Sequence, residues 1–347
     1  MRIIISSLHF SPAFIGHMKA WYKLCCIKRY SPLIYIDEAY KEYFEDEYNI
    51  TTKENDVINY NPEYVIVQNI GFENIKAFTL YKRLNCKIIY MLHEPYPGLV
   101  ELAKEGKDFI RLLVASSLNV ILCNKADHVI VCSKYAEANC KRYMPKTYNK
   151  TTIIPLLFLD NYNAKEEIER RYVSYIGTYT DSHAADVFVE YARQSFLKGK
   201  KTLFRITTRS NIESIVSDSI CRRMIESGHL LIQQGRPLTE SEMGKAFRES
   251  IVVWNGYRKS TQSGVLPNSY MYGTPVLASN LPAFREHIIH EHSGMFIDIH
   301  NFDSIDYAIE YVINNQEKMS NNCRSFFCNK YYYISQIEIV DKMLLML

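Results

Sequence analysis

The sequence predicts an α/β protein with two Rossmann-like domains, each built on a parallel sheet. Three observations support this. Short apolar runs bounded by turn residues alternate with helical stretches along the chain, which is typical of buried strands in right-handed βαβ units. The series starts twice, at Arg2–Ser6 and again at Tyr172–Gly177, after the polar stretch Asp160–Arg171. The length of 347 residues also suits two domains.

Each predicted strand is a run of β-branched or aliphatic residues. In chain order the runs are Ile3–Ser6, Leu33–Ile36, Tyr64–Val67, Lys87–Leu92, His128–Cys132, Thr152–Pro155, Val173–Ile176, Thr202–Thr207, Leu230–Gln233, Ile251–Trp254, Pro275–Ala278 and Met295–Ile297. A linker near 157–171 divides them, so we expect domains over 1–160 and 161–328 and a last helical segment over 329–347. Ligands of such folds bind at the carboxyl ends of the strands, which predicts a site in the cleft between the domains.

Composition excludes several classes of protein. Apolar residues make up 47% and charged residues 23%, which excludes general disorder, and a net charge of +3 is too small to indicate a nucleic-acid partner. The nine cysteines form no CxxC pair, which predicts reduced thiols in the cytoplasm and no zinc site. The run at Ile3–Ile5 is too short for a signal peptide. Leu112–Cys123 is too short to span a membrane and predicts a buried helix.

The most informative stretch is Ser260–Ser279. A turn, Gln262–Gly264, leads into a predicted helix, Val265–Tyr272, which a glycine ends before the next strand. Ser263 is a suitable N-cap, and Gly264 allows a ligand to approach the backbone closely. The N–H groups at the start of such a helix suit a diphosphate, although an ordinary capped helix has the same pattern.

Residues in this stretch resemble the signature of the family 4 glycosyltransferases, which have the two-domain GT-B fold. The signature is matched at Gly264, Met271, Gly273–Val276 and Ala278–Ser279. Other matches follow the family's order along the chain, at His93, Ala126–Ser133, Val173–Gly177, Glu286 and Gly294–Asp298. The resemblance covers nearly the whole chain.

The resemblance implies an architecture and an activity. Two parallel sheets would face a central cleft, and the last helix would cross back to the N-terminal domain. The N-terminal domain would bind the acceptor, and the C-terminal domain would bind a nucleoside diphosphate sugar. The implied reaction moves a hexose to a glycan or lipid-linked glycan, with retention at the anomeric carbon and with no metal or other cofactor. Variants of this signature are associated with bacterial surface polysaccharides such as O-antigen (lipopolysaccharide) or capsule.

The chain departs from the family pattern at the donor site. The two glutamates of the family signature fall on Ser260 and Asn268. By resemblance, the amide oxygen of Asn268 would hold the ribose hydroxyls, and Ser260 would make a single contact with the donor sugar. The glycine after the first C-terminal strand is Gly177, and the two basic residues that normally clamp the diphosphate fall on Thr178 and His183.

A diphosphate leaving group still needs positive charge near it in the transition state. The nearest candidates are Lys259 first and Arg258 next, because both directly precede the turn, while Arg209 and Arg236 follow other strands. These cations could equally be solvated surface charges, and His183 could supply the charge instead. The predicted donor-site residues are Gly177, Thr178, His183, Ser260, Gln262, Ser263, Gly264, Val265 and Asn268.

Candidate acceptor residues lie in the N-terminal domain. His93 follows the strand Lys87–Leu92, where α/β folds place functional loops, and by resemblance it faces the acceptor and takes part in catalysis. Glu94 either binds sugar hydroxyls or faces water. Gly16 ends the loop Leu8–Gly16, which lacks a GxGxxG motif and is interpreted as an acceptor-side loop.

A helix predicted at His17–Tyr30 combines basic and aromatic side chains. The residues are Lys19, Trp21, Tyr22, Lys23, Lys28, Arg29 and Tyr30. Such a helix fits a peripheral contact with the anionic inner membrane, on its cytoplasmic face. A solvated helix face is the favoured alternative.

Two other functions remain open from the sequence. The missing glutamates and clamp cations also fit a catalytically inactive partner subunit of the same fold. A nucleotide-sugar epimerase of GT-B fold is the second alternative, although it relies on carboxylates near the anomeric centre that this signature lacks. Incubation with a panel of nucleotide sugars separates the three.

Overall fold

The computed structural model describes residues 1–103, 106, 109–163, 168–235 and 239–347. The chain divides into two compact units. Unit 1 comprises Met1–Leu159 and Lys330–Leu347, and unit 2 comprises Asp160–Asn329. The C-terminal segment therefore belongs to the N-terminal unit, as the predicted fold class requires.

Unit 1 is built on a parallel sheet. Its strands are β1 (Arg2–Ser7), β2 (Ser31–Ile36), β3 (Ile50–Thr51), β4 (Tyr64–Val67), β5 (Lys87–Leu92), β6 (His128–Val131) and β7 (Thr151–Ile153). In the described part of the chain they pair in the order β3-β2-β1-β4-β5-β6-β7, all parallel. The apolar runs predicted as strands are confirmed. Strand β3 was not predicted, because two residues give no periodicity.

The helices of unit 1 connect these strands. They are α1 (Ile15–Ile27), α2 (Glu54–Tyr60), α3 (Phe72–Arg83), α4 (Leu99–Ala103), α5 (Phe109–Lys125), α6 (Lys134–Tyr143) and α7 (Pro145–Tyr148), with 3-10 turns at Pro12–Phe14 and Glu38–Tyr43. Side chains of the sheet and of the covering helices form one core, in which Val65, Ile88 and Val129 are fully buried. Burial on both faces explains why these strands are continuous apolar runs.

Unit 2 repeats this architecture. Its strands are β8 (Tyr172–Ile176), β9 (Leu203–Thr208), β10 (Leu230–Gln234), β11 (Ser250–Asn255), β12 (Val276–Ser279) and β13 (Gly294–Ile297). They pair in parallel in the order β10-β9-β8-β11-β12-β13 within the described residues. Its helices are α8 (Ala185–Leu197), α9 (Glu213–Ser217), α10 (Ser219–Glu226), α11 (Glu240–Arg248), α12 (Val265–Met271), α13 (Pro282–Arg285), α14 (Phe302–Asn314) and α15 (Gln316–Lys330).

The C-terminal segment is fastened to unit 1 by polar contacts. It contains a 3-10 turn, Tyr333–Gln336, and the last helix, α16 (Ile337–Leu345). Asp341 on this helix pairs with Lys28 at 2.8 Å and accepts a hydrogen bond from Tyr30. Because these partners come from the end of α1 and the residues after it, the last helix lies against unit 1 at the end of α1.

Helix α1 is buried for most of its length. Lys19, Trp21 and Tyr22 are buried, and the Lys19 ammonium lies 2.9 Å from Glu45. Lys23 forms a second ion pair, with Glu47 at 2.9 Å. Because Lys19, Trp21 and Tyr22 are buried, these three side chains do not form an exposed basic and aromatic face.

Helix α5 is more exposed than the sequence predicts, whereas α1 is more buried. The run Leu112–Cys123 was predicted as a buried helix, but in α5 only Asn119, Leu122 and Cys123 are buried among the described side chains. Its other apolar side chains lie at or near the surface. The prediction of a buried helix is therefore wrong for most of its residues.

Candidate donor and acceptor sites

The topology of unit 2 brings two predicted segments together. Strand β8 lies between β9 and β11, so the chain order of the sheet reverses between β8 and β11. Open α/β sheets bind ligands at such a switch point, outside the carboxyl ends of the strands. The loop Gly177–His183 leaves β8 there, and the turn Tyr257–Gly264 follows β11 there.

Gly177 and the turn approach each other closely. Gly177 has φ +133°, a conformation that glycine adopts readily and other residues rarely do. A Cβ atom added to it would lie 3.4 Å from Cγ2 of Val265, the first residue of α12. The predicted phosphate turn and the predicted glycine therefore lie side by side.

The turn is shaped by side chains from β11. Ser263 Oγ donates to Oδ1 of Asn255 at 2.9 Å, and Ser260 Oγ donates to the carbonyl of Gln262 at 2.6 Å. Gly264 is the N-cap of α12 and no side chain caps the helix, so the prediction that Ser263 caps it is wrong. Ser263 instead fixes the turn to the end of the fully buried Asn255. Sequence reasoning missed this asparagine, although a polar residue that ends an apolar strand was a visible signal.

Helix α12 is short. It spans Val265–Met271, and its third residue, Pro267, has no N–H group. Its macrodipole and its first amides are therefore weak means of holding a diphosphate, which makes side-chain charge more important. Gly273 ends the helix with φ +64°, as predicted, and added side-chain atoms there would collide with Ser320. Near Gly264, by contrast, an added Cβ meets no atom within 4 Å.

Asn268 lies on the first turns of α12. Its Nδ2 donates to the carbonyl of Gly264 at 2.8 Å, and the side chain is partly exposed. Since the amide nitrogen is used within the helix, Oδ1 is the atom that can accept a hydrogen bond from a ligand. This is the chemistry expected of a residue that holds ribose hydroxyls.

His183 is held in one orientation. Its ring stacks on Tyr257 with centroids 4.1 Å apart, and its Nδ1 lies 3.0 Å from the Thr178 carbonyl. Trp254 Nε1 donates to the His183 carbonyl at 3.1 Å. Burial lowers the pKa of His183 below its ordinary value, so the ring is neutral near pH 7. The side chain at the clamp position therefore brings a hydrogen-bonding ring and not a fixed charge.

Arg258 is already paired. It donates to both carboxylate oxygens of Asp186 at 2.7 Å and to Asp181 at 3.0 Å, and its backbone N–H donates to the Ser182 carbonyl. The Asp186 hydrogen bonds raise the pKa of Arg258, and Arg258 in turn lowers the pKa of Asp186. Two acidic groups thus balance this cation, which ties the loop after β8 to the turn after β11.

The other predicted cations differ in position. Lys259 is exposed and directly precedes Ser260 of the turn. Arg209 is exposed after β9, on the far side of β8 from the turn. Arg236 lies outside the described residues. Lys259 is therefore the exposed cation of this group that lies next to Ser260 in the turn.

His93 follows β5 in unit 1. Its Nε2 lies 2.7 Å from the carbonyl of Gln68, at the end of β4, and its ring is 4.8 Å from that of Phe14. A carbonyl only accepts hydrogen bonds, so Nε2 carries the ring proton and Nδ1 presents a lone pair. Burial, together with the charge of His17, lowers the pKa of His93 to about 4. His93 is thus a neutral imidazole and a weak base.

The other predicted acceptor residues are less distinctive. Glu94 has an exposed side chain, and its carbonyl accepts from Asn119 at 3.2 Å. Gly16 lies inside α1, which begins at Ile15, and not in the loop that was predicted to end there. An added Cβ at Gly16 meets no atom within 4 Å, so no close approach requires a glycine.

The depressed pKa of His93 predicts a pH-dependent stability of unit 1. Below about pH 6.5 the unfolded chain binds a proton at His93 that the folded chain excludes, so the free energy of unfolding falls as the pH drops towards about 4. We expect this group to contribute about 2 kcal/mol to that loss, after allowance for its partial exposure. His17 and His128 act in the same direction. Urea unfolding at about pH 7 and pH 4.5 should therefore show a smaller loss in His93→Gln than in the wild type, and equal losses would contradict the assignment.

Two structural findings bear on metals and membranes. Within residues 1–103, 106, 109–163, 168–235 and 239–347, no group of three or more His, Cys, Asp or Glu side chains could hold a metal ion. No helix in these ranges is long and apolar enough to cross a bilayer.

Two parallel Rossmann-like sheets, with the C-terminal segment returned to the first unit, define the GT-B fold. No family model matches the sequence, and no curated protein matches it. Three solved structures are similar to the chain over almost its whole length. HepE from Anabaena in complex with UDP-glucose has a TM-score of 0.73 at 12% identity and is covered over 100% of both chains. A glycosyltransferase from Rickettsia africae ESF-5 has a TM-score of 0.70 at 11% identity. Sucrose-phosphate synthase from Thermosynechococcus elongatus has a TM-score of 0.72 at 12% identity. Each match covers 99% of this chain and 98% of the other chain.

Proposed function

We propose that this chain is a glycosyltransferase that moves a hexose from a nucleoside diphosphate sugar to a glycan or lipid-linked glycan. The observation that carries the proposal is the switch point of unit 2, where the Gly177 loop and the Tyr257–Gly264 turn lie side by side. HepE, which shares the fold, binds UDP-glucose. The segments that match the family signature are the ones that meet at this point.

The diphosphate is assigned to the turn. Gly177 and Gly264 leave room for it, and Thr178, Ser260, Gln262 and Ser263 bring polar atoms to the same two segments. The Ser260 hydroxyl donates to the backbone carbonyl of Gln262, and the Ser263 hydroxyl donates to Asn255. Both serines therefore also stabilise the shape of the turn. Because Lys259 directly precedes Ser260 of the turn and His183 is neutral, Lys259 is the residue proposed to meet the growing charge of the leaving group.

The acceptor is assigned to the carboxyl edge of unit 1, next to His93. The ring is neutral, and its low pKa makes it a poor base. This fits the retaining, front-face reaction that the family resemblance implies, in which the leaving phosphate takes the acceptor proton. The same resemblance supports a role in O-antigen or capsule assembly and a reaction that needs no metal.

The test is a panel of nucleoside diphosphate sugars, each offered with and without glycan acceptors. Nucleotide release that depends on an acceptor supports transfer. Isomerisation of the sugar without an acceptor would identify an epimerase. Binding without any turnover would favour the inactive partner subunit, the alternative that the neutral His183 and the paired Arg258 favour.

Asn268 gives a quantitative test of the donor site. If its Oδ1 holds the ribose hydroxyls, Asn268→Ala should weaken nucleotide binding by about 1–2 kcal/mol, since one neutral hydrogen bond is lost and its partner is left unsatisfied. Isothermal calorimetry with a nucleoside diphosphate measures this. Asn124→Ala, which changes an exposed asparagine at the end of α5 in unit 1, is the matched control. Equal affinities for wild type and Asn268→Ala would contradict the assignment.

A further inference from the structure

Helices α4 and α5 of unit 1 expose large apolar side chains. Leu99 and Val100 on α4 are 60% and 73% exposed. On α5, Ile110 is 73% exposed, Val114 48% and Ile121 44%. The two helices lie against each other. We refer to these five side chains together as the α4–α5 surface, and nothing in the described part of unit 1 covers them.

The three residues of α5 form a single stripe. At about 100° per residue, positions 110, 114 and 121 lie within about 40° of one another around the helix. The side chains that α5 buries, Asn119, Leu122 and Cys123, lie on the other side. One face of the helix therefore packs against the rest of unit 1, and a second face exposes these three apolar side chains together with Ser117.

Basic residues outnumber acidic ones around the stripe, although the exposed Glu101 lies on α4. Helix α5 contains no acidic residue, and its exposed Arg111 and Lys125 lie towards its two ends. The segment 109–150, which includes the adjacent α6 and α7, has seven Lys and Arg residues against two Asp and Glu. Its net charge is thus +5, in a chain whose total is +3. The apolar stripe therefore lies in a segment of unit 1 that is basic overall.

We propose that the α4–α5 surface docks on an anionic lipid bilayer. The apolar side chains would enter the boundary between headgroups and acyl chains, and the flanking cations would meet lipid phosphates. A second copy of the chain is a poorer occupant, because a two-fold interface would place this basic surface against itself. A nucleic acid would leave the apolar stripe against charged phosphates. The membrane contact that the sequence predicts for α1 is thus proposed for α5 instead.

The surface also fits the acceptor. Leu99 begins α4 six residues after His93, and both follow β5 at the carboxyl edge of the sheet. A bilayer on this surface would present a lipid-linked glycan near the proposed acceptor site. This part of the inference rests on the proposed function, whereas docking on lipid does not.

Vesicle co-sedimentation tests the docking. The probes are vesicles of phosphatidylcholine alone and vesicles that also contain about a quarter of phosphatidylglycerol. We expect the full chain to sediment with the anionic vesicles at low salt and to be released at about 0.5 M salt. Ile110→Asp/Val114→Asp should reduce this binding about tenfold or more, because charge replaces inserted apolar area.

The matched control is Ile313→Asp, on α14 of unit 2, where the native side chain is 52% exposed. It should bind anionic vesicles like the wild type. Circular dichroism checks that each variant folds, and Lys125→Glu serves as a second variant, expected to weaken binding at low salt only. The proposal is overturned if the wild type does not bind anionic vesicles, or if neither variant weakens binding. It is also overturned if light scattering shows dimers that the double substitution dissociates.

Nucleotide calorimetry separates this inference from the proposed function. The double variant should bind a nucleoside diphosphate as tightly as the wild type, because its substitutions lie in unit 1 and the donor residues in unit 2. A chain that binds vesicles but no nucleotide would support docking and contradict the glycosyltransferase. The reverse result would contradict docking alone.

Discussion

Lys259→Ala should lower the turnover number about a hundredfold or more and leave the free energy of unfolding nearly unchanged. A diphosphate leaving group gains negative charge in the transition state, and loss of one donor to such a charge commonly costs a factor of about a hundred to a thousand in rate. Helix α12 is only seven residues long, and the nearby His183 is neutral. Lys259 is exposed, so its removal should not disturb the core. Initial rates at saturating donor and acceptor measure the effect.

Two variants distinguish a lysine at the reaction centre from a surface charge. Lys201→Ala removes an exposed lysine just before β9, at the amino end of that strand and so away from the proposed site at the carboxyl ends. It should leave the rate unchanged. Arg258→Ala should also slow the reaction, but with a loss of stability, because it leaves Asp181 and Asp186 without their cation. Full activity in Lys259→Ala would contradict the assignment. A rate that instead falls as the pH rises through the lowered pKa of His183, and that His183→Ala abolishes, would transfer the role to that ring.

The sequence was sufficient to predict the sheets. Strands such as β5 and β11 are buried on both faces, so each is a continuous apolar run that periodicity detects. The location of the ligand edge, at the carboxyl ends of the strands, follows from the same βαβ order. The short edge strand β3 left no such pattern, because only two of its residues pair.

The sequence could not tell which helix faces are covered. Helix α1 has lysines but is buried for most of its length, and Lys19 and Lys23 pair with Glu45 and Glu47, which lie about 25 residues further along the chain. Helix α5 is apolar, but much of it is exposed. Hydropathy describes a helix alone, whereas burial depends on partners that only the fold brings near.

The same limit applied to the donor site. Arg258 was a reasonable candidate by position, but its partner Asp186 lies 72 residues earlier in the chain, and no local pattern links them. Ser263 had the expected type and place for a helix cap, yet Asn255 competes for its hydroxyl. In both cases the residue's role is set by a contact with a residue outside its own turn. The neighbouring sequence alone predicts a different role.

Arg170 should be the residue whose loss destabilises unit 2 most among its arginines described here. Its guanidinium donates to the carbonyls of Ser250, Tyr272 and Gly273 at 2.8, 2.9 and 3.0 Å, and to Oγ1 of Thr274 at 2.6 Å. It thus joins the start of β11 to the end of α12, the helix that begins at the proposed phosphate turn. Burial lowers the pKa of Arg170, and the planar guanidinium fork suits these several acceptors.

Arg170→Ala should therefore lower the free energy of unfolding of unit 2 by about 3 kcal/mol, because several acceptors lose a charged donor together. Arg170→Lys should recover less than half of this loss, since a single ammonium cannot reach all the acceptors that the two guanidinium nitrogens contact. The control is Arg171→Ala, whose exposed side chain pairs only with the exposed Glu169 among the contacts described and should change stability by at most about 0.5 kcal/mol. Urea unfolding followed by the fluorescence of Trp254, in a Trp21→Phe background, isolates the transition of unit 2, because these are the two tryptophans of the chain. If Arg170→Ala and Arg171→Ala unfold at the same urea concentration, Arg170 does not hold the end of α12, and the phosphate turn must be positioned from β11 alone.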